Sequence, residues 1–234
     1  MKYFVIITAG GSGLRMGSNL AKQFLELKGK PILLHTIELF RSLPFDVEII
    51  LVLPVAYKEY WKKYCLDNNL WFKYTIVSGG ITRFHSVKNA LAYVPNNAIV
   101  AVHDGVRPFV DKKLLESLFK TEFSGFAGMI PVMPAIESMR ERVLDQKGVD
   151  IGTKTVNRDM YMFVQTPQVF NSSILKECYQ QAFDPSFTDD ASVVQKKGYD
   201  IRTCEGSRFN IKITKPEDLQ LAELVYSFLE RQNL

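Results

Sequence analysis

The residues best suited to chemistry lie near the start of the chain. An apolar run ends in Thr8-Ala9-Gly10-Gly11-Ser12-Gly13-Leu14-Arg15-Met16-Gly17, and Lys22 follows. Glycines directly after a strand let the backbone approach a phosphate closely and aim N–H groups at it. Two known phosphate loops do not fit. A dinucleotide fingerprint opening at Gly11 and Gly13 would place its third glycine on Met16, and a P-loop needs a glycine and lysine where Arg15, Met16 or Ser18 stand. What remains is a glycine turn followed by Arg15 and Lys22, two cations able to neutralise a polyphosphate. Taken alone, a glycine turn of this kind is more often only a turn, and Arg15 and Lys22 alone would be solvated surface charges.

These residues need a scaffold. Uninterrupted apolar runs at Tyr3 to Ile7, Val47 to Leu53, Tyr74 to Val77, Ile99 to Val102 and Phe126 to Val132 predict strands buried on both faces, as in a parallel sheet. Helical patterns fall between them: Pro31 to Arg41 with proline at the first position, Ala56 to Asn68, Thr82 to Tyr93, and Asp111 to Glu122 with Asp111 as cap. This repetition predicts an α/β fold with a doubly wound, mostly parallel sheet and right-handed crossovers. The segment from Pro134 to Val156 is too polar for a core strand pair and carries a turn at Asp145 to Gly148. A lone hairpin is marginal in water, so residues 134–158 are expected to form an arm that packs on a partner. Beyond it, helices are expected at Ser172 to Phe183, Asp189 to Lys197 and Pro216 to Glu230, with strands at Asp200 to Cys204 and Asn210 to Thr214. No Gly/Pro/Ser-rich linker divides the chain, so residues 1–234 are expected to be one domain bearing the arm.

Further motifs occur in order along the chain: Gly79-Gly80-Ile81-Thr82-Arg83-Phe84-His85-Ser86-Val87, His103-Asp104-Gly105-Val106-Arg107-Pro108, Thr155-Val156-Asn157-Arg158, Gln165-Thr166-Pro167-Gln168, Thr188-Asp189-Asp190-Ala191-Ser192, and Asn210-Ile211-Lys212-Ile213-Thr214. With the Ala9 to Leu33 segment, they resemble the 2-C-methyl-D-erythritol 4-phosphate cytidylyltransferase family, within the nucleotidyltransferases of Rossmann-like fold. The resemblance implies transfer of CMP from CTP to that polyol phosphate, with release of pyrophosphate, in non-mevalonate isoprenoid synthesis. It assigns Arg15 and Lys22 to transition-state stabilisation at the triphosphate, and Arg158 and Lys212 to holding the attacking phosphate. Substrate binding is implied for Ala9, Gly10, Gly11, Gly13, Gly80, Ser86, Asp104, Gly105, Arg107, Ser138, Thr166 and Thr188, with Ser86 and the nearby glycine backbone reading the cytosine. Magnesium is expected on the CTP phosphates, with Asp104 as its protein neighbour. The arm is expected to complete a two-fold partner's site through Ser138 and Arg158, making a homodimer. Ser138 stands where threonine is usual, and Phe209 where an acidic residue often precedes Asn-Ile-Lys; Phe209 can equally pack beneath the last helix.

Composition agrees with this reading and excludes others. Twenty-nine basic against 25 acidic residues give a net charge of only +4, spread without runs, so no nucleic-acid footprint is indicated. Three widely spaced cysteines form no zinc pattern and suggest reduced thiols of a cytoplasmic protein. No stretch approaches the roughly 20 apolar residues of a membrane span, and the N-terminal run of about six is too short for a signal-peptide core. The nearest competing function is D-ribitol-5-phosphate cytidylyltransferase, which shares the loop and arm and to which His103 to Phe109 and Arg158 to Tyr161 sit close. A nicotinamide oxidoreductase lacks its third glycine and has Leu53-Pro54 where an acidic residue should stand. A non-catalytic CTP sensor would not need all four cations.

Overall fold

The computed structural model describes residues 1–11 and 20–232. The parallel half of the sheet follows directly from the apolar runs. Strand β1 (Tyr3–Thr8) lies between β4 (Val47–Leu53) and β6 (Ile99–Asp104), parallel to both, and β5 (Tyr74–Ser78) extends the sheet beyond β4. The chain thus builds outward on one side of β1 and then returns to its other side, creating a topological switch point at the β1 and β6 carboxyl ends. Two short strands, β2 (Glu26–Leu27) and β3 (Lys30–Pro31), form a separate ribbon. Pro31 therefore ends a strand and caps α1 (Ile32–Arg41), instead of occupying the first helical position.

The other half of the sheet is mixed. Strand β7 (Gly128–Pro134) runs antiparallel to β10 (Met162–Val164) and β11 (Gln168–Asn171), and parallel to β12 (Ile201–Glu205). Gly128 lies between Phe170 and Ile201, and Val132 between Val164 and Glu205, so β10 and β11 border the same side of β7 and β12 the opposite side. Strand β11 then joins this half to β6 by antiparallel pairing.

Two apolar layers flank the sheet, one on each face. Val5, Ile7, Leu51 and Ala101 face α1, α2 (Lys58–Asp67) and α4 (Lys112–Phe119), while Phe4, Ile6, Val52 and Val102 face α3 (Arg83–Leu91), α5 (Ser172–Cys178) and α6 (Asp190–Lys196). The final helix α7 (Pro216–Gln232) closes a third cluster through Ala222 and Val225 over Val106, Phe109 and Ile213. Side chains that compete for backbone N–H groups start several helices. Thr82, Asp111 and Asn171 cap α3, α4 and α5, and Asp189 forms a reciprocal capping box with Ser192 on α6.

One expected strand is not formed. Asn210 to Thr214 runs as irregular chain because its groups bond elsewhere: the Ile213 N–H donates to the Val106 carbonyl, and the Asn210 side chain reaches the β10–β11 connection. The polar arm is a hairpin of β8 (Arg140–Leu144) and β9 (Asp150–Thr155), its turn closed by the Gly148 N–H donating to Asp145 O. Gly148 takes a positive φ of 79° there, which favours glycine. Nearly all arm side chains are exposed.

Candidate active site

The site lies where the strand ends converge. The Ala9 N–H donates to Val52 O, Gly79 N–H to Leu53 O and Gly105 N–H to Thr8 O, so the loops after β1, β5 and β6 are stitched together. A Cβ added to Gly79 would lie 3.8 Å from the Gly10 Cα, and one on Gly10 would lie 3.6 Å from the Ser86 Oγ. One on Gly80 would fall 2.4 Å from the His85 Cβ, so only glycine fits there without displacing α3. The Ser86 hydroxyl holds this turn, donating to Thr82 O at 2.9 Å and accepting the Gly80 N–H at 3.0 Å. Gly105 is packed against Ala9, Ile7 and Leu33. Lys22 lies on a single 3-10 turn, Lys22–Phe24, with its Cε 3.9 Å from where a Cβ on Gly11 would sit. Next to it, Gln23 is buried and donates to the Ala9 carbonyl. Gly13 and Arg15 lie outside the described residues.

At the end of β6, three cations converge on one carboxylate. The Asp104 Oδ2 lies 3.0 Å from the Lys212 Nζ and 3.2 Å from the Arg107 Nε, and its Oδ1 is 4.0 Å from the Arg83 Nε. Burial by itself would push the Asp104 carboxyl up, but Lys212, Arg83 and Arg107 outweigh it and hold the group well below the usual carboxylate range. Arg83 also binds the fully buried Asp190 on the first turn of α6, whose other oxygen accepts the Tyr179 hydroxyl at 2.6 Å. Burial opposes the charge on Arg83, and Asp190 more than restores it. Burial, reinforced by Asp190, raises the Tyr179 hydroxyl well above its ordinary range.

Further hydrogen bonds hold this cluster in place. Arg107 Nη1 donates to the Asn210 carbonyl at 2.7 Å, and the Asn210 amide donates to Thr166 O at 2.9 Å and toward Gln165 Oε1 at 3.3 Å. The Thr166 hydroxyl oxygen accepts the Asp104 N–H at 3.1 Å and lies 3.0 Å from His103 Nδ1. The other His103 nitrogen, Nε2, lies 3.0 Å from the Arg107 carbonyl. The ring is fully buried, and burial pulls its pKa down to about 4, against the pull of Asp104.

The structure therefore brings together Ala9, Gly10, Gly11, Lys22, Gly80, Ser86, Asp104, Gly105, Arg107, Thr166 and Lys212 around the strand ends. Thr188 is exposed and stands just ahead of the α6 cap. Arg158 and Ser138 do not join the cluster. Both are exposed at the base of the arm, where the Arg158 guanidinium donates to the Ile136 carbonyl. Arg83, Gln165, Asp190 and Asn210 join the cluster although residue type alone marks none of them. Their signal was present in the Gly79–Val87, Gln165–Gln168, Thr188–Ser192 and Asn210–Thr214 motifs, but the contacts join positions as far apart as 107 residues. Phe209 lies 5.2 Å from Phe228 of α7, ring to ring, which is the packing role left open for it.

No group of three His, Cys, Asp or Glu side chains suited to a metal occurs among the described residues, nor does any helix long and apolar enough to cross a membrane. Asp104 offers one carboxylate among cations, a donor set that fits a divalent ion held mainly by substrate phosphates and water but not one held by the protein alone.

A doubly wound sheet whose switch point carries glycine-lined loops and a cluster of cations defines an α/β protein that handles an anionic, nucleotide-like ligand. Comparison with known proteins narrows this class. The sequence model of the 2-C-methyl-D-erythritol 4-phosphate cytidylyltransferase family matches residues 3–227. The enzyme of that name from Bacteroides thetaiotaomicron is 48% identical over 94% of this chain and 98% of its own. Its counterpart from Bacillus velezensis is 35% identical over 96% of each chain. The crystal structure of the Francisella tularensis enzyme superimposes with a TM-score of 0.76 at 28% identity, covering 96% of this chain and all of the other. The chain belongs to the 2-C-methyl-D-erythritol 4-phosphate cytidylyltransferase family and is a nucleotidyltransferase.

Proposed function

We propose that this enzyme transfers the cytidylyl group of CTP to 2-C-methyl-D-erythritol 4-phosphate at the strand-end cluster. The observation that carries the reading is the convergence of Lys212, Arg107 and Arg83 on Asp104 beside the glycine loops. The reaction joins two anions. A phosphate monoester oxygen forms a bond to the α-phosphorus of CTP, the bond from that phosphorus to the bridging oxygen breaks, and pyrophosphate departs with the electron pair. A monoester with a second pKa of about 6 is largely dianionic at neutral pH, so no strong general base is required. The enzyme's task is to overcome repulsion and to stabilise charge gathering on the α-phosphate and leaving group.

Cations accordingly carry the work. Lys22 beside Gly11, together with Arg15, would neutralise the triphosphate, and Lys212 would hold the acceptor phosphate. In the free chain Lys212 rests on Asp104, a position from which a phosphate oxygen can draw it. Gly10, Gly80 and Ser86 line the base side, where backbone groups and little side-chain bulk favour a pyrimidine. When bound, magnesium would neutralise phosphate charge, with Asp104 as its protein neighbour.

Arg158 and Ser138 lie on the arm, away from their own chain's Lys212, and the arm's exposed surface suits a two-fold partner whose site they would complete. The working assembly is thus a cytoplasmic homodimer. The test is magnesium-dependent pyrophosphate release from CTP with 2-C-methyl-D-erythritol 4-phosphate or D-ribitol 5-phosphate as acceptor. Turnover confined to the first is expected; turnover confined to the second, or none with either, refutes the reading.

A further inference from the structure

We infer that Gln23 is a positioning residue that locks the Ala9–Gly10 peptide in one orientation, so that the Gly10 N–H faces the nucleotide. The observation is a single buried bond. The Gln23 side chain is buried and its Nε2 donates to the Ala9 carbonyl at 2.8 Å, joining the 3-10 turn of Lys22 to the loop after β1. A carbonyl oxygen only accepts, so the Gln23 amide must turn its NH2 group toward it. The turn that carries Gln23 is itself fixed. The Phe24 N–H donates to Ala21 O, and the Phe24 ring packs among Tyr57, Tyr60 and Trp61, whose ring centres are 5.3, 5.0 and 6.1 Å away.

The peptide between Ala9 and Gly10 is trans, so its C=O and N–H point in opposite directions. With the Ala9 oxygen held inward by Gln23, the Gly10 N–H is aimed outward, and Gly10 is exposed among the loops that meet at the strand ends. Nothing in Gly10 itself keeps it so, because glycine adopts positive φ about as readily as negative. Gly10 lies outside the left-handed region here. Turning the peptide over would carry it to positive φ and present the Ala9 oxygen to the ligand, an acceptor where a phosphate or a cytosine carbonyl needs a donor. Gln23 opposes that turn, since the flipped Ala9 oxygen would abandon a buried NH2 group. That the ligand is CTP rests on the proposed function.

The test is a double-variant cycle in the pyrophosphate-release assay. Gln23→Met keeps the length of the side chain and removes the donor. It should raise KM for CTP by about tenfold, the scale of one hydrogen bond, with KM for 2-C-methyl-D-erythritol 4-phosphate within about twofold. Among the described residues a Cβ at Gly10 meets only the Ser86 Oγ, at 3.6 Å, and it disfavours the flipped peptide. In the Gly10→Ala background, therefore, the same Gln23→Met change should alter KM for CTP by about threefold or less. Equal changes for the two substrates, or the same CTP factor in both backgrounds, indicate a merely structural role and overturn the inference, as does an unchanged KM for CTP. Gln23→Leu repeats the cycle should Gln23→Met not fold. In the wild type, saturating CTP should slow hydrogen exchange of the Gly10 amide by about tenfold or more, and CTP binding without that protection also overturns the inference. A wild type that does not bind CTP refutes the proposed function and the inference together; normal turnover with any of the adverse results above refutes the inference alone.

Discussion

Asp190→Asn isolates the buried ion pair that ties the cation cluster to α6. The carboxylate is fully buried and accepts from both Arg83 and Tyr179, the latter at 2.6 Å. Asparagine keeps an oxygen for Tyr179 but turns an NH2 toward the guanidinium, so two donors face one another. Breaking a buried pair by removing one charge costs about 3–5 kcal/mol. Two features reduce that here: the Arg83 side chain is 29% exposed, and Asp104 lies 4.0 Å from its Nε as an alternative partner. The expected loss is therefore about 2–3 kcal/mol, and at about 2–4 °C per kcal/mol for a chain of this size the melting temperature should fall by roughly 5–10 °C. The assay is thermal and denaturant unfolding of Asp190→Asn, Arg83→Met and the double variant. The double variant should be more stable than Asp190→Asn, because it no longer leaves a cation beside an amide. A melting temperature within about 1 °C of wild type, or a double variant at the plain sum of the singles, would refute the account of Arg83 as a charge held by Asp190.

Other consequences are equally open to measurement. Lys212→Met should lower kcat/KM by about two to three orders of magnitude in the pyrophosphate-release assay, the scale of removing one preorganised charge stabiliser. Gly80→Ala drives a Cβ into the His85 backbone, and should cost about 1–3 kcal/mol in denaturant unfolding while raising KM for CTP more than for the acceptor. Acid should weaken the fold in two windows. His103 titrates at about 4 when folded against about 6.5 when unfolded, so stability is lost as pH falls between those values; Asp104, held below its unfolded value of about 3.9, contributes stability that is lost only at lower pH. Denaturant midpoints measured from pH 7 to 3 should show the first loss flattened in His103→Asn and the second in Asp104→Asn.

Much of the fold was legible because its strands are apolar on both faces and its helices carry local caps. Val47–Leu53 matches its apolar run, and Thr82, Asp111 and Asp189 begin helices by accepting nearby N–H groups. Less legible was Met162 to Asn171, where two short strand pieces flank Thr166 and Pro167 and only pairing with β7 and β6 makes them part of the sheet. The irregular run at Asn210 to Thr214 looks like a strand in sequence for a related reason: its apolar alternation satisfies Val106 and the α7 cluster without a neighbouring strand. Within the site, the glycine loops and Asp104 stood out by residue type. Arg83 did not, because its meaning depends on Asp190, a long-range partner that no local pattern announces.

The alternation of the two apolar layers along β1 has a consequence for how the chain finds its alignment. Val5 and Ile7 fill one layer and Phe4 and Ile6 the other. Sliding β1 by one residue against β4 and β6 would exchange these sets with modest loss of burial, whereas a strand with one wet face would be penalised at every position. Alignment must come from the ends. The Ala9 N–H meets Val52 O, Gly105 meets Thr8 O, and a side chain at Gly105 would crowd Ala9, Ile7 and Leu33. The residues that shape the ligand loop thus act as the register key of the central sheet, so a substitution there can scramble strand alignment as well as chemistry.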